Sequence, residues 1–537
     1  MDFQRLAYWG LRCGGKTSLE RHMTRWQRQG VSASDPLLLN GIEFAAVFAA
    51  LALLACLPVL LCETLPLIDY PNHLARMHIL SPAPSSKQLQ NYYAVVWQPL
   101  PNLSMDLIVP VLARWLPLAW AGKAFVAAIL CLMSGGAAVL HRVLFGKWSA
   151  WPLLAFLLVY DHSLLWGFVN YLFGVGVSLF AVASWVALRF RPRLRLAVSV
   201  IFALALFFCH LLAFGLYGVI AIGYEAGIVL RERMPLARAA RSLILAGAPF
   251  LPEAAIYLLL TPRAGGGRIV FNPILDKAQL LFAPFDNYNF FFDLACFAAV
   301  VLTTGFVYWR RWVRLDAAMA MPLGLLFLAY LLMPDTLATA SGADGRIPML
   351  LGLLLVAGSR WTAPGKIAAR AFAGAALALF LVRLSAVGAE WLENDRFYAQ
   401  LLPAFEKIPA GSRVAVANPT DPVDFLAPSL SHFPALAVAR SNAFVPTLFA
   451  IPTQQPIVLK PYFAAIASEL STERLWAALV ERTALLDPIE HAAFNEYDFV
   501  IFHSLHPFAL PPSMEFTPLF VTPRFVLAGV NTVSARQ

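Results

Sequence analysis

The chain has 537 residues, 60% of them hydrophobic, 13% charged, with a formal net charge of +9. A water-soluble chain of this length carries roughly 25% charged residues to cover its surface. Here the charges form short clusters between long apolar runs, so lipid is the solvent for most of the surface. The basic residues flank apolar runs instead of gathering on one domain, which argues for membrane topology and against a nucleic-acid partner.

In chain order, the first segment, 1–36, carries Arg5, Arg12, Lys16, Arg21, Arg25 and Arg28. The positive-inside rule places it in the cytoplasm. The apolar run that follows, 37–61, is long enough to span, so a cleaved signal peptide is not expected. The first outer loop, 63–118, opens with Pro66-Leu-Ile-Asp69-Tyr70-Pro71-Asn72-His73-Leu74-Ala75-Arg76. Pro71 suits the first turn of a short helix and Asp69 the position before it. On that helix Asp69, His73 and Arg76 share one face. The plain alternative is an interfacial loop in which Asp69 caps the helix and Arg76 meets lipid headgroups. The remainder, 86–118, is amphipathic and aromatic, and is expected to lie as helices in the outer interface.

Later basic clusters (Arg142/Lys147, Arg189/Arg191/Arg193/Arg195, Arg231/Arg233/Arg238/Arg241, Arg310/Arg311/Arg314 and Arg360/Lys366/Arg370) belong in the cytoplasm by the same rule. Between clusters the chain must cross out and back. The first such excursion turns at Tyr160-Asp161-His162, followed by Trp166-Gly-Phe-Val-Asn170. As one helix, 196–230 would be roughly 50 Å long, too long for a single span and just enough for two that break near His210. One outer loop, 262–288, holds Asp276, Lys277, Asp286 and Asn287; another, 334–346, ends Ser341-Gly-Ala-Asp344-Gly-Arg346. A last span, about 368–388, leads out.

The fold expected is mostly α: a polytopic bundle of about eleven spans over 37–388, N-terminus in and C-terminus out. Residues 389–537 are rich in proline. They alternate strands such as Arg413-Val-Ala-Val-Ala and Tyr497-Asp-Phe-Val-Ile-Phe with helical stretches at 395–408 and 472–485, as an extracytoplasmic α/β domain does. The six cysteines all precede residue 300 and show no metal-ligand spacing or disulfide framework. Ionisable groups at membrane depth line cavities or pair with one another. Asp161, His162 and His210, together with Asp344 and Arg346, therefore point to one outward-facing polar cavity.

These residues carry a resemblance. An acidic residue just after the first span, in Asp69-Tyr-Pro-Asn-His-Leu-Ala-Arg, resembles the GT-C superfamily of polytopic glycosyltransferases. So do Pro101-Asn-Leu-Ser-Met-Asp, Trp166-Gly-Phe-Val-Asn-Tyr and Asp344-Gly-Arg, and the likeness extends over most of 37–390. It implies a bacterial inner-membrane enzyme that takes a sugar from a polyprenyl-phosphate donor to a glycan, lipid or protein acceptor outside the cytoplasm. It implies Asp69 as the base that takes the acceptor's proton. Arg346, Arg76 or Lys277 would stabilise the departing phosphate, and His73 or His210 would hold a sugar hydroxyl or phosphate oxygen. Several branches carry two adjacent acidic residues where this chain has Asp69-Tyr70, so the use of a divalent metal stays open. The readings that compete are a transporter or flippase, for which no internal repeat is seen, and a non-catalytic relative in envelope polysaccharide assembly.

Overall fold

The computed structural model describes residues 36–81, 87–262, 268–338, 341–363, 365–419 and 428–531. The basic cluster between Arg5 and Arg28 lies outside them. The first apolar helix, α1 (Gly41–Leu61), starts at a reciprocal cap. The Asn40 side chain accepts from the N–H groups of Ile42 and Glu43, both at 2.9 Å, and the Glu43 carboxylate accepts from the Asn40 N–H at 2.8 Å. Two short helices follow, α2 (Tyr70–Leu80) and α3 (Ser104–Leu112), then the long α4 (Leu118–Phe145). A 3-10 segment, Trp151–Leu157, and the five-residue α5 (His162–Trp166) lead into α6 (Val169–Ala187), α7 (Pro192–Cys209) and α8 (Leu211–Glu232). Helices α9 (Leu236–Gly247) and α10 (Leu251–Leu260) form one continuous passage, and α11 (Ile274–Leu280) lies in the loop beyond it. The bundle closes with α12 (Phe290–Trp309), α13 (Ala320–Leu332), α14 (Ile347–Ala357) and the 36-residue α15 (Lys366–Leu401).

Eight of these helical passages are long and apolar enough to cross a membrane. About eleven were expected; among the described residues two further apolar helices, Ala317–Leu332 and Ile347–Ala357, are shorter, and the stretch expected to cross before Asp161 holds the seven-residue 3-10 segment Trp151–Leu157. The break near His210 is real: His210 ends α7 and caps α8, its Nδ1 accepting the Leu212 N–H at 3.1 Å. Helices α4 and α6 pack at the centre because glycine lets them touch. A Cβ on Gly176 would sit 2.5 Å from the Leu132 Cβ.

The basic clusters gather at one end of the bundle. There Arg189 pairs with Glu232 at 2.5 Å, Arg195 with the buried Glu225, and Arg231 with Asp316. The strand β3 (Val313–Leu315) pairs antiparallel with β5 (Ser359–Trp361), setting Arg314 opposite Arg360, while β2 (Arg268–Val270) pairs antiparallel with β4 (Thr336–Ala338) in the loops of the opposite end. The other end carries the first loop and the C-terminal region.

The C-terminal region is a four-stranded sheet in the order β6 (Val414–Ala417), β8 (Phe499–His503), β10 (Phe525–Val530), β9 (Phe516–Val521). The two strands expected from the sequence, β6 and β8, are its parallel pair. Helices α16 (Leu436–Ser441), α17 (Pro461–Glu469) and α18 (Thr472–Trp476) pack around it. The helix that enters this region continues to Leu401 without a break at 389.

One expectation needs correction. From Lys87 onward, the early part of the amphipathic stretch does not lie as a helix in the interface. Strand β1 (Tyr93–Val95) pairs antiparallel with β7 (Ile457–Leu459), and Leu89, Tyr92 and Tyr93 are buried in the core of the C-terminal region. The physical reason is Tyr93, whose hydroxyl donates to the Val445 C=O at 3.0 Å and accepts the Val445 N–H at 2.9 Å. Only the later part, α3, is helical.

Candidate active site

Asp69 sits at the N-cap position of α2, yet its side chain makes no cap hydrogen bond. The backbone starts the helix by itself: the Asp69 C=O accepts the His73 N–H at 3.0 Å, and Pro71 supplies the fixed φ of the first turn. The segment is pinned to the turn after α5, where Asp69 N–H donates to Trp166 C=O at 3.0 Å and Ile68 N–H to Leu165 C=O at 2.9 Å. That turn needs Gly167. Its φ is +86°, and a Cβ there would stand 2.9 Å from the Asp69 Cβ. The Asp69 carboxylate is left 16% exposed, with His432 Nε2 at 3.4 Å from Oδ1.

His73 and Arg76 are occupied elsewhere. Arg76 is fully buried and holds Asp106 of α3 with two bonds, Nε–Oδ1 at 2.6 Å and Nη2–Oδ2 at 3.0 Å. Its Nη2 also approaches His73 Nδ1 at 3.1 Å, and His73 Nε2 reaches the Gly167 C=O at 3.1 Å. Since Arg76 can only donate, His73 Nδ1 accepts, and the imidazole is neutral with its proton on Nε2. Burial, and secondarily the Arg76 charge, pushes its pKa down to about 4. These two residues therefore position the Asp69 turn. Both are engaged with the protein in this way, and of their polar groups Arg76 Nη1 alone is buried without a hydrogen-bond partner among the described residues.

Across the site stands Arg346, buried at 7% exposure, its guanidinium 3.7 Å from the centre of the Phe168 ring. Nη2 donates to the Ser341 C=O at 2.7 Å, Nη1 lies 3.4 Å from His210 Nε2, and Nε has no partner among the described residues. Burial lowers its pKa to about 10, opposed by the Tyr171 hydroxyl and by the Asp69 and Asp335 charges. Because His210 Nδ1 accepts from Leu212, its proton is on Nε2. Two N–H donors thus face each other, with no acceptor between them among the described residues. An oxyanion placed there would satisfy both.

The remaining expected residues form the frame. Asp161 caps α5, accepting the Leu164 N–H at 3.1 Å, and burial raises its pKa to about 7. His162 Nδ1 lies 3.2 Å from Asp286, while its Nε2 accepts from the Trp166 indole at 2.8 Å. Burial brings its pKa down to about 4. Lys277 is spent on Asp344 at 2.9 Å and on the Met333 C=O at 2.7 Å. Asp344 also accepts from Asn272 at 3.1 Å and from the Gly345 N–H at 2.9 Å. This buried pair braces the loop that ends in Arg346, so neither member is available to a phosphate.

The sequence reading missed His432, which comes from the proline-rich C-terminal region, where no local signal marks it. It also passed over Asp106 as the partner of Arg76. Asn170 is a third. Its Oδ1 accepts from the Ser104 hydroxyl and the Met105 N–H at 2.7 and 2.8 Å, and its Nδ2 donates to Asn102, which is held at φ +125°. Among the described residues no three His, Cys, Asp or Glu side chains come close enough to hold a metal ion.

No protein-family model matches the sequence, and no curated protein matches it. Solved structures do. The chain superposes on ArnT from Cupriavidus metallidurans bound to undecaprenyl phosphate with a TM-score of 0.52 at 12% identity, covering 92% of this chain and 99% of that one. Against the apo state of the same protein the TM-score is 0.51 at 11% identity, covering 93% and 100%. The chain is thus a multi-pass membrane protein with the fold of ArnT, a GT-C glycosyltransferase.

Proposed function

We propose that the protein is a glycosyltransferase of the bacterial inner membrane. It moves a sugar from a polyprenyl-phosphate donor to an envelope glycan, lipid or protein acceptor on the extracytoplasmic face. In this reading the N-terminus is cytoplasmic, 37–388 is the transmembrane unit with its loop 63–118, and 389–537 stands outside. What supports the reading is a carboxylate without a capping role and, within reach of its charge, a buried arginine with donors to spare. Asp69 is relieved of any capping duty, and Arg346 and His210 present N–H groups that lack an acceptor among the described residues.

The chemistry follows. Asp69 takes the proton of the acceptor hydroxyl as that oxygen attacks the sugar carbon and the bond to the phosphate oxygen breaks. The phosphate leaves with its negative charge, which Arg346 and His210 stabilise in a site sheltered from water. His432 holds the carboxylate from the acceptor side. Arg76, Asp106 and His73 fix the turn that aims it, and the Lys277–Asp344 pair does the same for Arg346. A prenyl-linked donor keeps its tail among the helices, so no nucleotide-binding loop is required.

The test is transfer. Purified protein in nanodiscs is supplied with radiolabelled polyprenyl-phosphate sugars and with extracted envelope glycans and lipids. Label should pass from the donor to one acceptor fraction. Failure across a full set of donors and acceptors would reject the reading.

A further inference from the structure

The open edge of β6 borders a cavity. β6 is an outer strand of its sheet. On the β8 side the Arg413 C=O accepts from Asp498 and Phe499; on the open side Ser412 and Val414 exchange hydrogen bonds with Phe444, both 2.8 Å. Farther along, the Asn418 N–H bonds the Thr472 C=O on the open side at 3.3 Å. By the two-residue period of a strand, Val416 also turns its N–H and C=O to the open side. Among the described residues nothing bonds them there. The segment at Phe444 begins as a fifth strand and then leaves the edge at Pro446, which has no N–H to offer.

The gap is a cavity of about 220 Å³. Around Val416 it is lined by Pro446, Thr447, Thr472, Glu473 and Tyr497. Among the described residues the hydroxyls of Thr447 and Thr472 and the carboxylate of Glu473 have no hydrogen-bond partner, whereas the Ser471 hydroxyl is spent on the Arg474 N–H at 3.1 Å. The Tyr497 ring is fixed by stacking on Phe444, with centroids 6.2 Å apart and planes at 14°. Among the described residues no Lys or Arg lines the cavity, so it does not suit a phosphate. It is smaller than the usual ~300 Å³ lower bound of ligand pockets, so it admits one ring and not a chain of rings or a lipid tail. An added peptide strand needs a run of open edge, and among the described residues of β6 only Val416 is open. Hydroxyls, a two-oxygen acceptor and a ring in a half-apolar hollow match the alternating donors, acceptors and C–H faces of a sugar.

We propose that this cavity is a saccharide subsite holding one neutral sugar unit; calling that unit part of the acceptor rests on the transferase reading. Its wall is tied to the catalytic helix. The Asn72 side chain donates to the Thr447 C=O at 3.4 Å and accepts the Phe449 N–H at 2.9 Å, three residues from Asp69. A glycan held here keeps a fixed register to that carboxylate.

The experiment is saturation-transfer NMR on the full chain in nanodiscs, with the methyl glycosides of glucose, galactose, mannose and N-acetylglucosamine as probes. At least one should bind saturably. Glu473→Gln, at an exposed and unpaired position, should weaken it about 10-fold, the usual effect of losing a charge-assisted hydrogen bond. Ala467→Phe, which fills the cavity, should abolish it, and Asp69→Asn should leave it unchanged. The proposal is overturned if none of the four binds, or if binding survives both cavity variants. Loss of binding in Asp69→Asn would also overturn it, by moving the sugar to the carboxylate, and so would displacement of the glycoside by a short strand-forming peptide. Binding without transfer activity keeps the subsite and removes only its name as an acceptor site.

Discussion

Replacing Asp69 by Asn separates chemistry from scaffolding, because the structure gives the side chain so little structural work. The helix it precedes starts on backbone bonds and on Pro71, and the carboxylate caps nothing. Asn is isosteric and is itself a good cap, so the loss from the helix start is about zero. The contact with His432 is partly exposed, and such ion pairs are worth about 0–1 kcal/mol. Stability should therefore fall by less than about 1 kcal/mol. A positioned general base, in contrast, contributes about 10²–10⁴ in rate, or roughly 3–5 kcal/mol of barrier. Single-turnover transfer from radiolabelled donor measures the second quantity, and thermal unfolding in the same nanodiscs measures the first. Asp69→Asn should lose transfer with its melting curve unmoved. A variant that transfers at the native rate refutes the base, and one that fails to fold refutes the claim that the side chain is free of structural duty.

Other perturbations probe the frame. Gly167→Ala pairs a left-handed φ with a Cβ 2.9 Å from Asp69, and should cost about 1–3 kcal/mol and most of the activity; native melting and transfer would contradict this. Asp106→Asn leaves the Arg76 charge buried without its carboxylate and should cost about 3–5 kcal/mol, whereas the double variant Arg76→Met/Asp106→Leu should recover most of that in the unfolding midpoint. His73 titrates near 6.5 when unfolded and near 4 when folded, so the unfolded chain takes up the proton first as pH falls. Stability should drop by up to about 3 kcal/mol between pH 6.5 and 4, and His73→Gln should flatten that slope in melts across pH. A reporter active only outside the cytoplasm should be active when fused after Trp391 and silent after Arg233; the reverse pattern would invert the topology.

Much of the membrane-embedded fold is written in short-range physics. Apolar length and the basic clusters set the passages, and a polar residue such as His210 marks a break between two of them because it can cap a helix. Passages that are short for a membrane, such as α14 and the 3-10 segment at Trp151–Leu157, are flagged less by their own length than by the alternation of basic clusters on either side. The strands β9 and β10 escaped notice because they are a hairpin with mixed burial, and only pairing with β8 gives them a face. The docking of residues 87–95 on the C-terminal region escaped for the same reason. An aromatic, amphipathic stretch suits an interface of either kind, lipid or protein, and Tyr93 chooses protein through two bonds to a residue more than three hundred positions away.

The site divides along the same line. Sequence spacing finds that Asp69, His73 and Arg76 share a face, but a shared face does not say which of them is spent. That depends on Asp106, which arrives from another helix and takes Arg76, which in turn fixes the tautomer of His73. Lys277 and Arg346 looked interchangeable as cations for a phosphate. Asp344 neutralises one, while the other is left beside His210 with donors to spare. The difference lies in the partner, not in the residue. A buried charge must be paired or pay for its desolvation, so in a site of this kind the group left unpaired is the one whose partner is the substrate. By that argument the proposed reading puts the departing phosphate at Arg346, which has a donor to spare, and the acceptor hydroxyl at Asp69, which His432 approaches and no helix cap engages.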